Sequence, residues 1–167
     1  VLSQMGYKVG LYISPYVIDF CERIQINGEM IPKNILAELC TKAKARIEKE
    51  KSPLILSQFE LTTALAFMYF KRENCDFCVL EAGLGGKYDA TNVIEKPLCS
   101  VLTKISLDHT KVLGNTIEEI TSEKCGIIKS QVPLITCCQD ETVLKIITDE
   151  CKKNNSKLRI ADTSLCS

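Results

Sequence analysis

The sequence predicts an α/β fold with a mostly parallel sheet flanked by helices. Three observations carry that expectation. Short apolar runs of β-forming residues, at Val9 to Ile13, Phe77 to Leu80 and Cys99 to Leu107, alternate with stretches of helical periodicity. Each run ends in side chains that can hold a metal: Ser14 after the first, Glu81 after the second, Asp108 and His109 after the third. Ligands of an open parallel sheet sit in the crevice beyond the carboxyl ends of its strands, so these side chains are expected to meet at one sheet edge.

Taken in order, the first strand starts near Tyr7 and is followed from Ser14 to Ile31 by a long connection with Pro15, Asn27 and Gly28 as punctuation. Such a length points either to a functional loop or to a surface excursion holding a small hairpin that turns at Asn27 and Gly28. Pro32 suits a first helical position, and Ile35, Leu36, Leu39, Ala43 and Ile47 recur at helical spacing opposite a charged face. Lys51 to Pro53 is expected to end that helix. Ser57 and Glu60 have capping-box spacing ahead of a second helix, LTTALAFMYFKR, apolar around most of its middle and therefore buried. Asn115 with Glu118 predicts another helix start, running to about Gly126. Val132 to Cys138 reads as a strand, Glu141 to Asn154 as a polar-faced helix and Lys157 to Ala161 as a last strand.

Composition narrows the class of partner. Lys plus Arg and Asp plus Glu are 21 each, without a long run of like charge, so neither nucleic acid nor an anionic membrane is favoured. With 167 residues, 46% of them hydrophobic, one domain with a sizeable core is expected. The apolar runs fall short of the ~20 residues that a membrane-spanning helix needs. The opening VLSQMGYKVG lacks the order of a signal peptide, which predicts a soluble intracellular protein. The 10 cysteines are then expected to be reduced, small and mostly buried. Cys75 and Cys78 form a C-x-x-C pair, but on one strand their side chains point to opposite faces, against both a zinc site and a redox pair.

Gly83, Gly85 and Gly86 follow Glu81 directly. They match neither G-x-x-x-x-G-K-[ST] nor G-x-G-x-x-G, so they predict tight turning or close approach of a ligand rather than a known phosphate loop. A carboxylate such as Glu81 among apolar neighbours needs a cation to hold it. His109 suggests zinc or manganese in preference to magnesium. Lys124 and Lys129 suit the negative end of a helix dipole, and Asp89, Thr91 and Asn92 suit turns and caps.

The runs GYKVGLYISP, FCERIQINGEMI, QFELTTALAFMYF, VLEAGLGGKYDATNVI, SLDHTKVLGNTIEEI and SEKCGIIK, in that order, resemble the central domain of the folylpolyglutamate synthase and dihydrofolate synthase family within the Mur ligase superfamily. The likeness covers nearly the whole chain. Tyr16, Ala82 and Cys125 depart from the residues common there, without touching an expected ligand. The resemblance implies that residues 1–167 are a partial ATP-binding central domain of P-loop type. On this reading the N-terminal strand, the phosphate-binding loop and the C-terminal glutamate-binding domain lie outside the sequence.

The family's chemistry is ATP-dependent amide synthesis: a folate or dihydropteroate carboxylate is activated as an acyl phosphate, and the amino group of L-glutamate displaces phosphate. The resemblance implies Ser14, Glu81, His109 and a carbamylated Lys124 as magnesium ligands, with Glu81, His109 and Lys124 in catalysis. It implies Ser57, Gln58, Phe59, Glu60, Tyr88, Asp89 and Ala90 as substrate contacts, and the run from Glu22 to Glu29 as a folate-side loop. It also implies a cytoplasmic monomer whose partners are folate, L-glutamate and ATP, with no nucleic acid and no membrane. As a fragment the chain is expected to be inactive. The alternatives are a non-catalytic remnant that binds pterin or folate, and a cysteine-based metal or redox protein.

Overall fold

The computed structural model describes residues 1–50 and 55–161, which divide into two units, Val1–Gly83 and Leu84–Ser167. The first unit holds a four-stranded sheet of order β3-β2-β1-β4, made of β1 (Val9–Tyr12), β2 (Ile24–Ile26), β3 (Glu29–Met30) and β4 (Phe77–Leu80). β1 runs parallel to β4 and antiparallel to β2, which in turn pairs with β3. The second unit holds an all-parallel sheet of order β5-β6-β7, with β5 (Ser100–Leu102), β6 (Leu134–Thr136) and β7 (Leu158–Ile160). The α/β class with parallel pairing is as predicted. The third expected strand, however, pairs in a different sheet from the first two.

The long connection after β1 is both compact and structured. A 3-10 turn at Phe20–Arg23 leads into β2, and the β2–β3 hairpin turns at Asn27 and Gly28, both in left-handed backbone. Asn and Gly are the residue types that tolerate this conformation, so the hairpin expected there forms. Two acids freeze the preceding loop. Glu22 accepts hydrogen bonds from the backbone of Val17, Ile18 and Asp19, and Asp19 accepts from the Cys21 N–H. Lys33 Nζ lies 2.7 Å from Asp19 Oδ2, and that ammonium, chiefly, holds the Asp19 carboxyl down to about 2. A lowered folded-state value means that the contribution is complete above the ordinary carboxylate range and is lost as pH falls towards 2. The carboxyl carbon of Asp19 is expected to titrate near pH 2 by NMR, and Lys33→Met to move the midpoint upward; a midpoint near 4 in the unsubstituted chain would refute the ion pair.

Pro32 is the residue before the first helix rather than its first member, since α1 spans Lys33–Ile47. The predicted end at Lys51 to Pro53 lies outside the described residues. α2 (Gln58–Arg72) carries the predicted capping box in full: Ser57 Oγ accepts from the Glu60 N–H, and Glu60 Oε2 accepts from the Ser57 N–H at 2.7 Å. Thr62, Thr63, Leu65, Ala66, Tyr69 and Phe70 are its buried residues. Leu65, Ala66, Tyr69 and Phe70 join Tyr12, Ile24, Ile31 and Leu39 in the first core.

In the second unit a short helix α3 (Thr110–Leu113) precedes α4 (Ile117–Lys124), which starts one residue later than predicted. Thr116 and Glu119 form the capping box there, because the Thr116 hydroxyl reaches the Glu119 N–H and Glu119 Oε2 reaches back to the Asn115 and Thr116 N–H groups. α5 (Glu141–Lys153) lays Val143, Ile147 and Cys151 into a second core with Leu102, Ile105, Ile120 and Leu134. Among the described residues no helix is long and apolar enough to cross a membrane.

The described cysteines are free thiols, but only Cys21, Cys125 and Cys151 are buried, while Cys40, Cys78, Cys99 and Cys138 are exposed. The expectation of mostly buried cysteines is therefore corrected. Burial pushes the Cys125 thiol up to about 12 and leaves it unreactive. β4 begins at Phe77, so Cys75 precedes it and packs against the first core, and the opposite-faces argument applied to a strand that does not reach Cys75.

Candidate active site: two strand ends and a glycine loop

The site in the first unit is built by parallel pairing. Tyr12 faces Leu80 in register, and the Glu81 N–H continues the ladder by donating to the Tyr12 carbonyl at 2.9 Å. One step further on, the Ser14 N–H donates to Glu81 Oε2 at 2.7 Å. Two residues 67 apart in sequence are thus joined at the carboxyl ends of neighbouring strands, as expected of Ser14 and Glu81. Glu81 is exposed, which corrects the argument that an apolar environment obliges a cation to hold it: water already solvates this carboxylate. What the structure supplies instead is orientation. One carboxylate oxygen is fixed by a backbone N–H, with Oε1 left to other partners. A hydroxyl and a carboxylate are hard oxygen donors, a set that suits magnesium.

The expected substrate segment Ser57–Glu60 divides by role. Ser57 and Glu60 spend their side chains on each other's backbone as the cap of α2, as their spacing alone would require. The Phe59 ring lies against Gly83, where a Cβ would stand 2.5 Å from the ring, and its centroid is 5.8 Å from that of Tyr12. Gln58 is exposed at the helix start. Of the four, Gln58 alone has a side chain both exposed and outside the cap.

In the second unit the glycine loop is stapled by side chains whose types suit turns and caps, among them Asp89, which is also an expected substrate contact. Asp89 accepts from the Leu84 N–H through Oδ2 and from the Thr91 N–H and hydroxyl through Oδ1. Asn92 Nδ2 donates to the carbonyls of both Lys87 and Gly126 at 3.1 Å. Gly86 lies against the end of α4, where a Cβ would stand 2.7 Å from the Lys124 carbonyl oxygen. Gly85 is in left-handed backbone, φ 67°, which fits the tight turning predicted for the loop, while Gly86 is needed for close approach to helix backbone, a role not assigned to it from sequence. Lys124 is the last residue of α4 and partly buried. Lys129 lies beyond the helix, and its Nζ donates to the Asn92 carbonyl at 3.0 Å, which replaces the helix-dipole explanation.

Tyr88 is 83% exposed beside Lys87, whose Nζ is 5.2 Å from the ring centroid. Asp89 and Ala90 are partly buried below it. Leu84, Tyr88, Asp89, Val112, Leu113 and Glu123 line a shallow depression.

His109 does not stand directly at a strand end, because β5 stops at Leu102 and not at Leu107. The buried side chain of Gln139 takes over from the ladder: its Oε1 accepts from the Ile105 N–H at 3.0 Å and its Nε2 donates to the Thr103 carbonyl at 2.8 Å. Gln139 was missed from sequence, where a lone amide gives no local signal. The loop it holds delivers His109 to the start of α3 in left-handed backbone, φ 50°, with its side chain exposed and Nε2 3.6 Å from Asp108 Oδ2. That conformation is uncommon outside glycine and concentrates at sites where surrounding structure imposes it.

Glu81 and Ser14 are thus brought together within the first unit, while His109 and Lys124 belong to the second. The Mur ligase middle domain profile matches residues 30–164, and the chain belongs to that family. It is 41% identical over 160 residues to the dihydrofolate synthase/folylpolyglutamate synthase of Bacillus subtilis, an alignment covering 92% of this chain and 36% of that protein. Its fold is similar to that of the ligand-free FPGS of L. casei, with a TM-score of 0.91 at 36% identity over 95% of this chain and 39% of that one. An FPGS solved in complex with AMPPCP and folate gives the same TM-score of 0.91 at 37% identity, again over 95% of this chain and 39% of the other. The chain thus spans under half the length of the relatives it matches.

Proposed function

We propose that this chain is part of an ATP-dependent ligase that joins L-glutamate to a folate through an amide bond, and that its residues do not turn over by themselves. The observation that carries the reading is the Ser14–Glu81 pair at the ends of two parallel strands, within 2.7 Å across 67 residues of sequence. Support comes from the relatives, named as folylpolyglutamate and dihydrofolate synthases, and from the solved complex with an ATP analogue and folate.

Ser14 and Glu81 in the first unit are proposed as magnesium ligands, as are His109 and a carbamylated Lys124 in the second. The ion supplies positive charge against the phosphoryl group in transfer, which a chain of zero net charge lacks in bulk. Glu81 presents Oε1 with Oε2 already fixed, so little ordering is left for the moment of reaction. Ser57 to Glu60 in the first unit are proposed as pterin contacts, as are Tyr88, Asp89 and Ala90 in the second. Of these, Phe59 and Tyr88 offer aromatic surface, and Asp89 shapes the loop rather than presenting a free carboxylate.

The test is transfer of labelled glutamate by the protein that carries this chain, with tetrahydrofolate and dihydropteroate offered separately. Label in the folate product alone means polyglutamylation, and label in both means a bifunctional enzyme. Glu81→Gln is expected to lower turnover by roughly 100-fold or more, as loss of a positioned charge does at phosphoryl-transfer sites. Tight folate binding with no transfer to either acceptor would overturn the ligase reading in favour of a binding protein.

A further inference from the structure

Gln139 stands between β6 and α5, is only 8% exposed, and has its whole amide engaged. Its Oε1 accepts from the Ile105 N–H at 3.0 Å. The two hydrogens of Nε2 go to the Thr103 carbonyl at 2.8 Å and to the Thr136 hydroxyl oxygen at 2.9 Å. The Thr136 hydroxyl in turn donates to the Leu102 carbonyl at 2.8 Å. One orientation of the amide satisfies all of these, since turning it over would set donor against donor at Ile105 and acceptor against acceptor at Thr103.

What this network holds is the approach to His109. Ile105 is buried in the second core, whereas Ser106, Leu107 and Asp108 are exposed. Among the described residues the only hydrogen bond of those three is local, from the His109 N–H to Asp108 Oδ1 at 2.7 Å. On its other side the His109 carbonyl accepts from the Val112 and Leu113 amides at 2.9 and 3.0 Å. His109 therefore sits between two fixed points, the Gln139 clasp at Ile105 and the turn of α3, and its backbone takes φ 50° there. Left-handed backbone outside glycine persists where surrounding structure imposes it. The Lys104–Asp140 ion pair also links the loop to the start of α5, but with side chains 53% and 73% exposed it adds little constraint. The imidazole is itself exposed, so its placement comes from the backbone that carries it rather than from packing of the ring.

We infer that Gln139 is a positioning residue for the proposed ligase reaction, acting through the loop of residues 103–108 to set the backbone from which His109 presents its imidazole. The inference rests on the ligase reading above, in which His109 is a magnesium ligand. The competing account is that Gln139 only closes the polar end of β5. The two differ in what a changed amide does to His109, a residue that the amide does not touch.

The experiment uses the protein that carries this chain and takes two readings from each variant: the backbone and imidazole resonances of His109 without metal, and transfer of labelled glutamate as magnesium is raised. Gln139→Met matches the side chain in length but makes none of the three bonds. It is expected to shift the His109 resonances and to speed hydrogen exchange at the Ile105 amide about tenfold. The half-saturating magnesium concentration is expected to rise roughly tenfold, the low end for loss of a residue that orients a metal ligand. The folate KM should stay within about twofold, because the substrate contacts are left alone. Gln139→Asn keeps an amide that is one methylene short, so it should move every reading in the same direction by less, and it decides the matter if the methionine variant does not fold. Ile147→Val thins the same core away from the loop, and is expected to lower Tm without moving His109 or the magnesium response.

Unmoved His109 resonances in the Gln139 variants, or an unchanged magnesium response, would overturn the inference and leave the ligase reading in place. Equal changes in Ile147→Val would also overturn it, because general loosening of the core would then be the cause. Absence of transfer by the unsubstituted protein would remove the ligase reading and this inference together.

Discussion

Gly126→Ala is expected to destabilise the second unit by about 3 kcal/mol, at the upper end of what overpacking costs. A Cβ at Gly126 would stand 2.4 Å from Lys87 Cα and 2.6 Å from Lys87 N, so the obstruction is backbone and cannot rotate away. Relief requires the glycine loop and the end of α4 to separate. That movement breaks the two hydrogen bonds by which Asn92 Nδ2 ties the Lys87 and Gly126 carbonyls together, and strains the Lys87 N–H bond to the Glu123 carbonyl. Urea unfolding measures the loss, and the Asn92 side-chain amide resonances should shift with it. A loss below about 0.5 kcal/mol, the scatter of ordinary surface changes, would refute the close approach. The consequence reaches the site, because Lys124 and the glycine loop are held together by this packing.

Gly10→Ala is expected to cost about 2 kcal/mol, and for a different reason. Here the added Cβ would meet the Phe70 ring at 2.6 to 2.8 Å, and Phe70 is only 3% exposed, so its ring has nowhere to swing. Gly10 is also locked from both sides of β1, facing Ile26 on one neighbour and Cys78 on the other. Since the obstacle is a side chain, it can be removed. In a Phe70→Leu background the same Gly10→Ala change should cost under about 0.5 kcal/mol, a non-additivity that a double-mutant cycle reads directly. Equal costs in both backgrounds would place the strain elsewhere. Because β1 delivers Ser14 to Glu81, the pair of substitutions also tests whether this strand's seating governs the site.

Much of the architecture was legible because it is written locally. The Ser57–Glu60 capping box, the Asn27–Gly28 hairpin turn, β4 at Phe77–Leu80 and the amphipathic α5 each follow from residue type at short spacing. The errors lie where a side chain distant in sequence replaces the backbone ladder. Gln139 ends β5 at Leu102 by taking up the Thr103 carbonyl and the Ile105 N–H, and nothing near residue 102 announces it. The Lys129 bond to the Asn92 carbonyl, 37 residues away, is likewise invisible from its own neighbourhood.

The candidate site divides along the same line. Residue types at strand ends, and runs resembling one ligase family, named Ser14, Glu81, His109 and Lys124 without coordinates. What those side chains are attached to, and which are already engaged, depended on packing. By itself the sequence determined the α/β class, the order of its main elements and the family, because period, caps and motif spacing are properties of neighbouring residues. Only tertiary structure decided that Glu81 is exposed yet oriented by the Ser14 amide, and that Gly86 and Gly126 mark backbone contact. Those facts turn on distances between residues far apart in the chain, and such distances are set by how apolar surfaces close over one another.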